Sequence, residues 1–574
     1  MGRFNLLDEP WISVVTDYKG TTKEVSLKEF FNNAHLYIDL AGDMKTQDFA
    51  ILRLLLAVMH TVFSRFDAHG KKYDYIELDD RFKQVEKIEE EDVKDYTEDL
   101  YNTWFDLWES EKFPGIINEY LEKWRDRFYL FDEKYPFFQV IADDIKKPKI
   151  NKSKPTEIAG KNINRLISES GNKSAIFSCK YEYQGNKDFL TYSQVTRWLI
   201  TFQGYTGLSD KTIFGKQKYK VSKGWLYDIG GINLGGSNLF ETLMLNCVLA
   251  HDENNNLINI QKPCWEFSSS EVIQNYFCDD SINNLASLYT AWSRGIYIDP
   301  NINLNYRFLC HVVKLPEINH GDKFLEPMTV WEYNFKGDNK GKYTPRKHIL
   351  NKAMWRSFGL IMINEAESNQ RKPGVIEWIN KIKIIAQNNN KKFDKLNSMI
   401  FATSMQDDGN PKSRVPTDEI IDSLSINEYV ITDLEKDGWV IRINDVVNET
   451  KGVIENCYKN FLKDVFEIRA GKNKKDFNDN DKRKISEKVE ELYFKIDTPF
   501  RKWIASIEYK DNKEEKITEW REKLKYIVEY EAKLVFQNGT SRDYMGIVED
   551  GKVKNIATVY NNFIHFLYKK IGRK

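Results

Sequence analysis

Residues 46–63 read Thr46-Gln47-Asp48-Phe49-Ala50-Ile51-Leu52-Arg53-Leu54-Leu55-Leu56-Ala57-Val58-Met59-His60-Thr61-Val62-Phe63. Phe49, Ile51, Leu52, Leu54, Leu55, Ala57, Val58 and Met59 recur on a broad helical face, and so wide a face needs burial from several sides. Thr46 is of a type that caps helix N-termini, so the helix is expected to begin there. The apolar run from Ile51 to Phe63 is shorter than the roughly 20 residues that span a bilayer, and Arg53 and His60 interrupt it. The stretch therefore predicts the core helix of a globular fold.

Upstream, Trp11, Ile12, Val14 and Val15 lead through a Lys19-Gly20 turn to Val25 and Leu27, which reads as a short hairpin. Downstream, Asp95 to Tyr129 carries Trp104, Phe105, Leu107, Trp108, Ile116, Tyr120 and Trp124 at helical spacing. Such spacing favours aromatic filling of a helical core over an exposed platform for bases. Pro136 before Phe137 and Phe138 closes that region in an extended turn.

The whole chain has 574 residues, enough for about two to four domains. Hydrophobic residues make up 41%, which fills a sizeable core and excludes a disordered chain. Lys plus Arg total 85 against 86 Asp plus Glu, a formal charge of −1 that gives no global attraction to nucleic acid. Net charge averages over domains, however, and only a local basic face touches phosphate. The opening Met-Gly-Arg-Phe-Asn lacks the pattern of a secretory signal, so a cytoplasmic protein is expected, with no membrane partner. Six scattered cysteines without a Cys-X-X-Cys pair read as free thiols.

The basic character is local. Lys146, Lys147, Lys149, Lys152 and Lys154 lie in nine residues without an acid. Lys211, Lys216, Lys218, Lys220 and Lys223 fall in thirteen, interleaved with Phe214, Gly215 and Tyr219. Both runs read as loops, and two in one region point to a phosphate-contacting surface. Gly230 to Gly236 fits neither a Walker loop nor Gly-X-Gly-X-X-Gly, and a helix capped near Ser237 is expected after it. Beyond Asp433 come helical stretches at Val447–Arg469, Lys484–Phe494, Pro499–Tyr509, Ile517–Phe536 and Val553–Lys570, which suggest an antiparallel bundle. The fold class expected is α+β, a large mixed domain over 1–432 followed by a four-helix-type bundle over 433–574.

No catalytic motif stands out. The eight histidines form no His-Glu-X-X-His, and there is neither a Gly-X-Ser-X-Gly elbow nor a Walker lysine. Asp407 and Asp408 could join distant carboxylates in a metal-dependent nuclease, but Asp-Asp-Gly-Asn-Pro is also an ordinary turn sequence. A binding subunit without catalytic residues, metal or cofactor is the preferred expectation, with the nuclease as its alternative.

Phe4-Asn5-Leu6-Leu7-Asp8-Glu9-Pro10-Trp11-Ile12 resembles the start of the CasA family, the large subunits of type I-E CRISPR Cascade complexes. Further matching segments follow in order: Arg53 to Ala57, Tyr135 to Gln139, Gly207-Leu208, Asn238 to Leu243, Trp292-Ser293-Arg294, Glu326-Pro327-Met328 and Trp355-Arg356. The resemblance implies a subunit that reads the protospacer-adjacent motif in double-stranded DNA, assists duplex opening and R-loop formation, and docks a recruited helicase-nuclease. Its partners would be target DNA, the crRNA-containing Cascade subunits and that nuclease. Because guide pairing reads most of the target, the protein needs only a motif reader, backbone contacts and a wedge.

Carried onto this sequence, the resemblance places a DNA-facing loop within Phe214–Trp225, with Gly215, Lys216, Lys218, Lys220, Lys223 and Gly224 as candidates. Glycine admits close backbone approach and lysine attracts phosphate. The guide-RNA handle and subunit contact would lie around Asn164 to Lys180, with Phe177 at its tip and Lys180 beside it. The family's strand-splitting wedge is often a glutamine, absent here, which leaves Asn410, Lys412, Ser413 and Arg414 as wedge candidates. A lysine finger would fall near Lys323 to Met328, where Pro327 occupies the aligned place.

Overall fold

In the computed structural model the quoted stretch forms the helix Lys45–Phe63, and from Thr46 onward every residue of it is buried. It is long and apolar enough to cross a membrane by length and composition, yet it lies wholly inside the fold. Thr46 is not its cap. The helix starts one residue earlier, after Met44, and its first free amides are met by a carboxylate 373 residues away in sequence. The Thr46 amide and hydroxyl both donate to Glu419, at 3.0 and 2.9 Å. An acidic group at a helix N-terminus satisfies orphan N–H groups and complements the helix dipole.

The structure describes residues 2–163, 188–208, 210–250, 259–278, 282–363, 371–393, 397–435, 437–508, 510–549 and 551–572. They divide into two units, one of residues 1–351, 364–394 and 398–423, the other of 352–363, 395–397 and 424–574. The class is mixed, with helices and small antiparallel sheets.

In the first unit the predicted hairpin pairs Ile12–Val15 with Thr22–Val25, and a further strand, Asp39–Leu40, joins it. The aromatic-rich region folds as the helices Val93–Ser110 and Ile116–Lys123. Trp104, Phe105, Tyr120 and Trp124 are buried there, so these rings fill the core as their spacing implies. Gly231–Gly235 is a strand paired with the long strand Asn397–Asp407, which runs through a loop to Pro416–Asn427. Asn238, rather than Ser237, caps the following helix, accepting from the Glu241 amide at 2.9 Å. A third sheet joins Thr156–Ala159, Leu309–Lys314 and Arg294–Tyr297.

The second unit is mainly helical. Trp439–Gly452 passes through a π-turn at Val453–Tyr458 into Lys459–Ala470. The two helices expected at Lys484–Phe494 and Pro499–Tyr509 are one, Asp479–Ala505, with Pro499 inside it. Proline costs that helix one backbone hydrogen bond, while the buried Ile496, Phe500, Trp503 and Ile504 hold both sides of it in the core. Lys513–Gln537 follows, then the hairpin Ile547–Glu549 and Lys552–Lys554, and last Ile556–Ile571. Trp355 stacks on Phe500 at 4.3 Å and Arg356 pairs with Glu490, which accounts for the Trp355-Arg356 segment within this unit.

Candidate nucleic-acid interface

The two lysine runs meet. A bridge joins Ile150 to Phe214, the Asn151 amide donates to the Ile213 carbonyl at 3.0 Å, and the Gly215 amide donates to the Lys149 carbonyl at 2.8 Å. Phe214 is buried, and the Tyr219 hydroxyl donates to the Lys314 carbonyl at 2.7 Å while accepting from the Phe214 amide at 3.0 Å. The interleaved aromatics are therefore anchors beneath the loop. What they leave outside is its tip. Gly215 has φ +68° with open space around it, and Lys216 and Lys218 are exposed and take no ion-pair partner among the described residues.

The remaining candidates in this loop differ in kind. Lys220 pairs with Glu317 at 2.6 Å although its side chain is 85% exposed. Lys223 is largely covered, pairs with Asp228 and lies 5.3 Å from the Tyr227 ring centre. Burial pushes the Asp228 carboxyl up, but the positive charge around it, led by the Lys223 ammonium and joined by Lys347, together holds it below the usual range. Gly224, expected to face DNA, faces inward: with φ +91°, its missing side chain would lie 2.2 Å from the Gly204 carbonyl oxygen. Glycine is required there for packing against the helix Tyr192–Gly204.

One buried arginine holds both ends of the loop. Arg294 donates to the Gly207 carbonyl at 2.7 Å, to the Ser222 carbonyl at 2.5 Å and to both Asp210 oxygens at 2.9 and 3.0 Å. Its own backbone is fixed by Gln203, whose side-chain oxygen accepts from the Ser293 and Arg294 amides and whose amide group donates to the Arg294 carbonyl. A guanidinium offers five donors in a rigid fork, so it ties loop ends that a lysine could not.

The proposed wedge is a loop between two long strands. Gly409, with φ +70° and nothing near it, and Asn410, Pro411 and Lys412 form an exposed tip. Ser413 and Arg414 do not belong to that tip: the Ser413 carbonyl accepts from the Leu208 amide at 2.7 Å, and the Arg414 guanidinium lies 3.3 Å from Asp407. Asp407 and Asp408 behave as turn carboxylates. Asp407 accepts from the Gly409 amide at 2.8 Å and Asp408 from the Asn410 and Val415 amides at 3.0 and 3.2 Å. Among the described residues no group of three or more His, Cys, Asp or Glu side chains is placed to hold a metal ion.

These loops border one open groove of about 1160 Å³. Lys220 and Lys223 line it from the glycine-containing loop, Pro411 and Arg414 from the wedge loop, and Arg346 and Lys347 from a third segment. His320, just before the lysine-finger region, stacks on Trp225 at 4.1 Å, and burial lowers its pKa against the pull of Asp228. Trp225 donates in turn to Glu326 at 2.5 Å, and Glu326 forms a two-pronged pair with Arg53, both contacts at 2.7 Å. The charge that interrupts the apolar helix is thus the inner end of a chain of contacts that reaches the groove. Arg346 and Lys347, missed as site residues, were visible only as a short basic run. Phe177 and Lys180 lie outside the described residues.

A family model described as CRISPR-associated protein Cse1 matches residues 5–529. The chain is 26% identical over 367 residues to the CRISPR-associated protein CasA/Cse1 of Thermus thermophilus, a match spanning 63% of this chain and 60% of that relative. The crystal structure of Thermobifida fusca Cse1 shares the fold with TM-score 0.75 at 22% identity, covering 99% of this chain and 98% of the other. A chain of a CRISPR RNA-guided surveillance complex matches with TM-score 0.66 at 12% identity, covering 98% and 99%.

Proposed function

We propose, because the chain belongs to the CRISPR-associated Cse1 (CasA) family, that it is the non-catalytic large subunit of a type I-E Cascade complex in the cytoplasm. In this reading it recognises the protospacer-adjacent motif in double-stranded DNA, assists duplex opening and R-loop formation, and docks the effector nuclease. The mixed part, 1–432, carries the DNA-facing loops, and the helical part, 433–574, is the C-terminal bundle. Phe177 and Lys180 meet the guide-RNA handle and neighbouring subunits.

The observation that supports this most is the convergence on one groove of the glycine-containing basic loop, the loop at 409–414 and the segment near His320. These are separated by long stretches of sequence; the first two are elements that the family resemblance assigns to DNA, and the third immediately precedes the region, Lys323 to Met328, where it places a lysine finger. Lys216 and Lys218 supply the cations least engaged by the protein itself, which suits contacts to phosphate rather than base edges.

Lys216→Ala with Lys218→Ala in the assembled, guide-loaded complex tests it. Removing two phosphate contacts is expected to weaken duplex binding and lower the slope of log K against log salt by about 2. An unchanged slope would remove this loop from the DNA surface.

A further inference from the structure

The groove is also bordered by a hairpin that the family resemblance does not assign, and the exposed tip of that hairpin is basic. Trp331–Tyr333 and Tyr343–Pro345 form an antiparallel hairpin in which Trp331 faces Pro345 and Tyr333 faces Tyr343. Glu332, Asn339, Thr344 and Pro345 from this hairpin line the groove. Its tip, Asn334 to Lys342, holds Lys336, Lys340 and Lys342 against the single acid Asp338. None of these three lysines takes an ion-pair partner among the described residues, and the tip is exposed from Phe335 to Lys342.

The tip is held firmly for so exposed a loop. The Asn334 side chain donates to the Lys342 carbonyl and the Thr344 hydroxyl, both at 2.9 Å, and the Gly341 amide donates back to the Asn334 carbonyl at 2.8 Å. At the hairpin base, the Asp322 amide donates to the Tyr343 carbonyl at 2.9 Å and the Tyr343 amide to the Asp322 carboxylate at 2.8 Å. Rings continue the support outward: Phe324 packs on Trp331 and Tyr343, Tyr343 on Tyr333, and Tyr333 on Phe335 at 5.0 Å. Gly337 and Gly341, at φ +79° and +83°, have nothing within 4 Å and leave the backbone open to close approach.

A preordered loop with a net positive tip, on the wall of a groove with other cations, complements a polyanion. We infer that the hairpin 331–345 is a second phosphate-contacting element, gripping the backbone of the same duplex through Lys336, Lys340 and Lys342. Phe335, 66% exposed, packs its ring against a sugar or an unstacked base beside those phosphates. The inference rests on the duplex-binding reading of the groove.

The test uses the complete guide-loaded complex and target duplex over a salt titration. Lys336→Ala, Lys340→Ala and Lys342→Ala together are expected to weaken binding at least tenfold near 0.1 M salt and to lower the salt slope by about 2–3. Phe335→Ala is expected to weaken binding several-fold with the slope unchanged. Equal thermal melting of the free subunit and its variants excludes misfolding. If Lys216→Ala with Lys218→Ala lowers the slope while the hairpin triple variant leaves it unchanged, the hairpin inference is wrong and the groove reading stands. If neither set alters the slope, the groove reading itself fails.

Discussion

Arg294 shows how much one side chain settles. Its guanidinium spans Gly207, Asp210 and Ser222, and so ties the base of the loop that presents Lys216 and Lys218, beside the Thr206–Lys223 backbone bond and the Lys314 ammonium on the Leu208 carbonyl. Removing one partner of a buried pair leaves the other uncompensated, at a cost of about 3–5 kcal/mol, whereas replacing both with apolar groups is often near neutral. Arg294→Met should therefore destabilise the protein by that amount in denaturant unfolding, and Asp210→Leu with Arg294→Met should recover part of it, since Lys314, 3.9 Å from Asp210, then loses its carboxylate. A double variant no more stable than the single one would show that the carbonyl contacts, and not the ion pair, dominate. The Trp292-Ser293-Arg294 segment was legible as a family feature, but its role was not. Nothing local marks an arginine whose partners lie 72 to 87 residues away.

At the scale of elements, the sequence was most readable where periodicity and burial agree. The core helix, the first hairpin and the aromatic helices follow from their own residues, because one face is apolar and the rest is not. It was least readable where a distant group overrides a local signal. Thr46 has the chemistry of a cap, yet Glu419 supplies the acceptor. Pro499 has the chemistry of a breaker, yet buried residues on either side carry the helix through it. Gly224 has the chemistry of a DNA-facing glycine, yet the Gly204 carbonyl lies against it. The wedge loop divides in the same way: Ser413 and Arg414 are anchored, while Asn410 and Lys412 project. Asn410→Ala with Lys412→Ala should therefore slow strand opening, read by a fluorescent base analogue beside the motif, with duplex affinity changed less than about threefold, since one charge at most is lost. Opening at the parental rate would exclude this tip as the wedge.

Over the whole molecule, a formal charge of −1 conceals a strongly uneven distribution. Lysines cluster at 146–154 and 211–223, and the first run is joined to the second by backbone hydrogen bonds that no composition reveals. Pairing within the protein then sorts them. Lys220 and Lys223 are largely neutralised by Glu317 and Asp228, and the tip lysines are left to solvent. A subunit that samples DNA without adhering to all of it is served by few free cations and many paired ones. The central claim is that separate loops act on one stretch of duplex. Photoreactive side chains placed singly at positions 218 and 410 of the guide-loaded complex, with Tyr18, 89% exposed, replaced as the control, test it against a duplex labelled at each base pair. Crosslinks from 218 and 410 to neighbouring base pairs at the motif and the first target pair are expected, and none from 18. Crosslinks from 218 and 410 to separate, distant segments, or to no DNA at all, would contradict it.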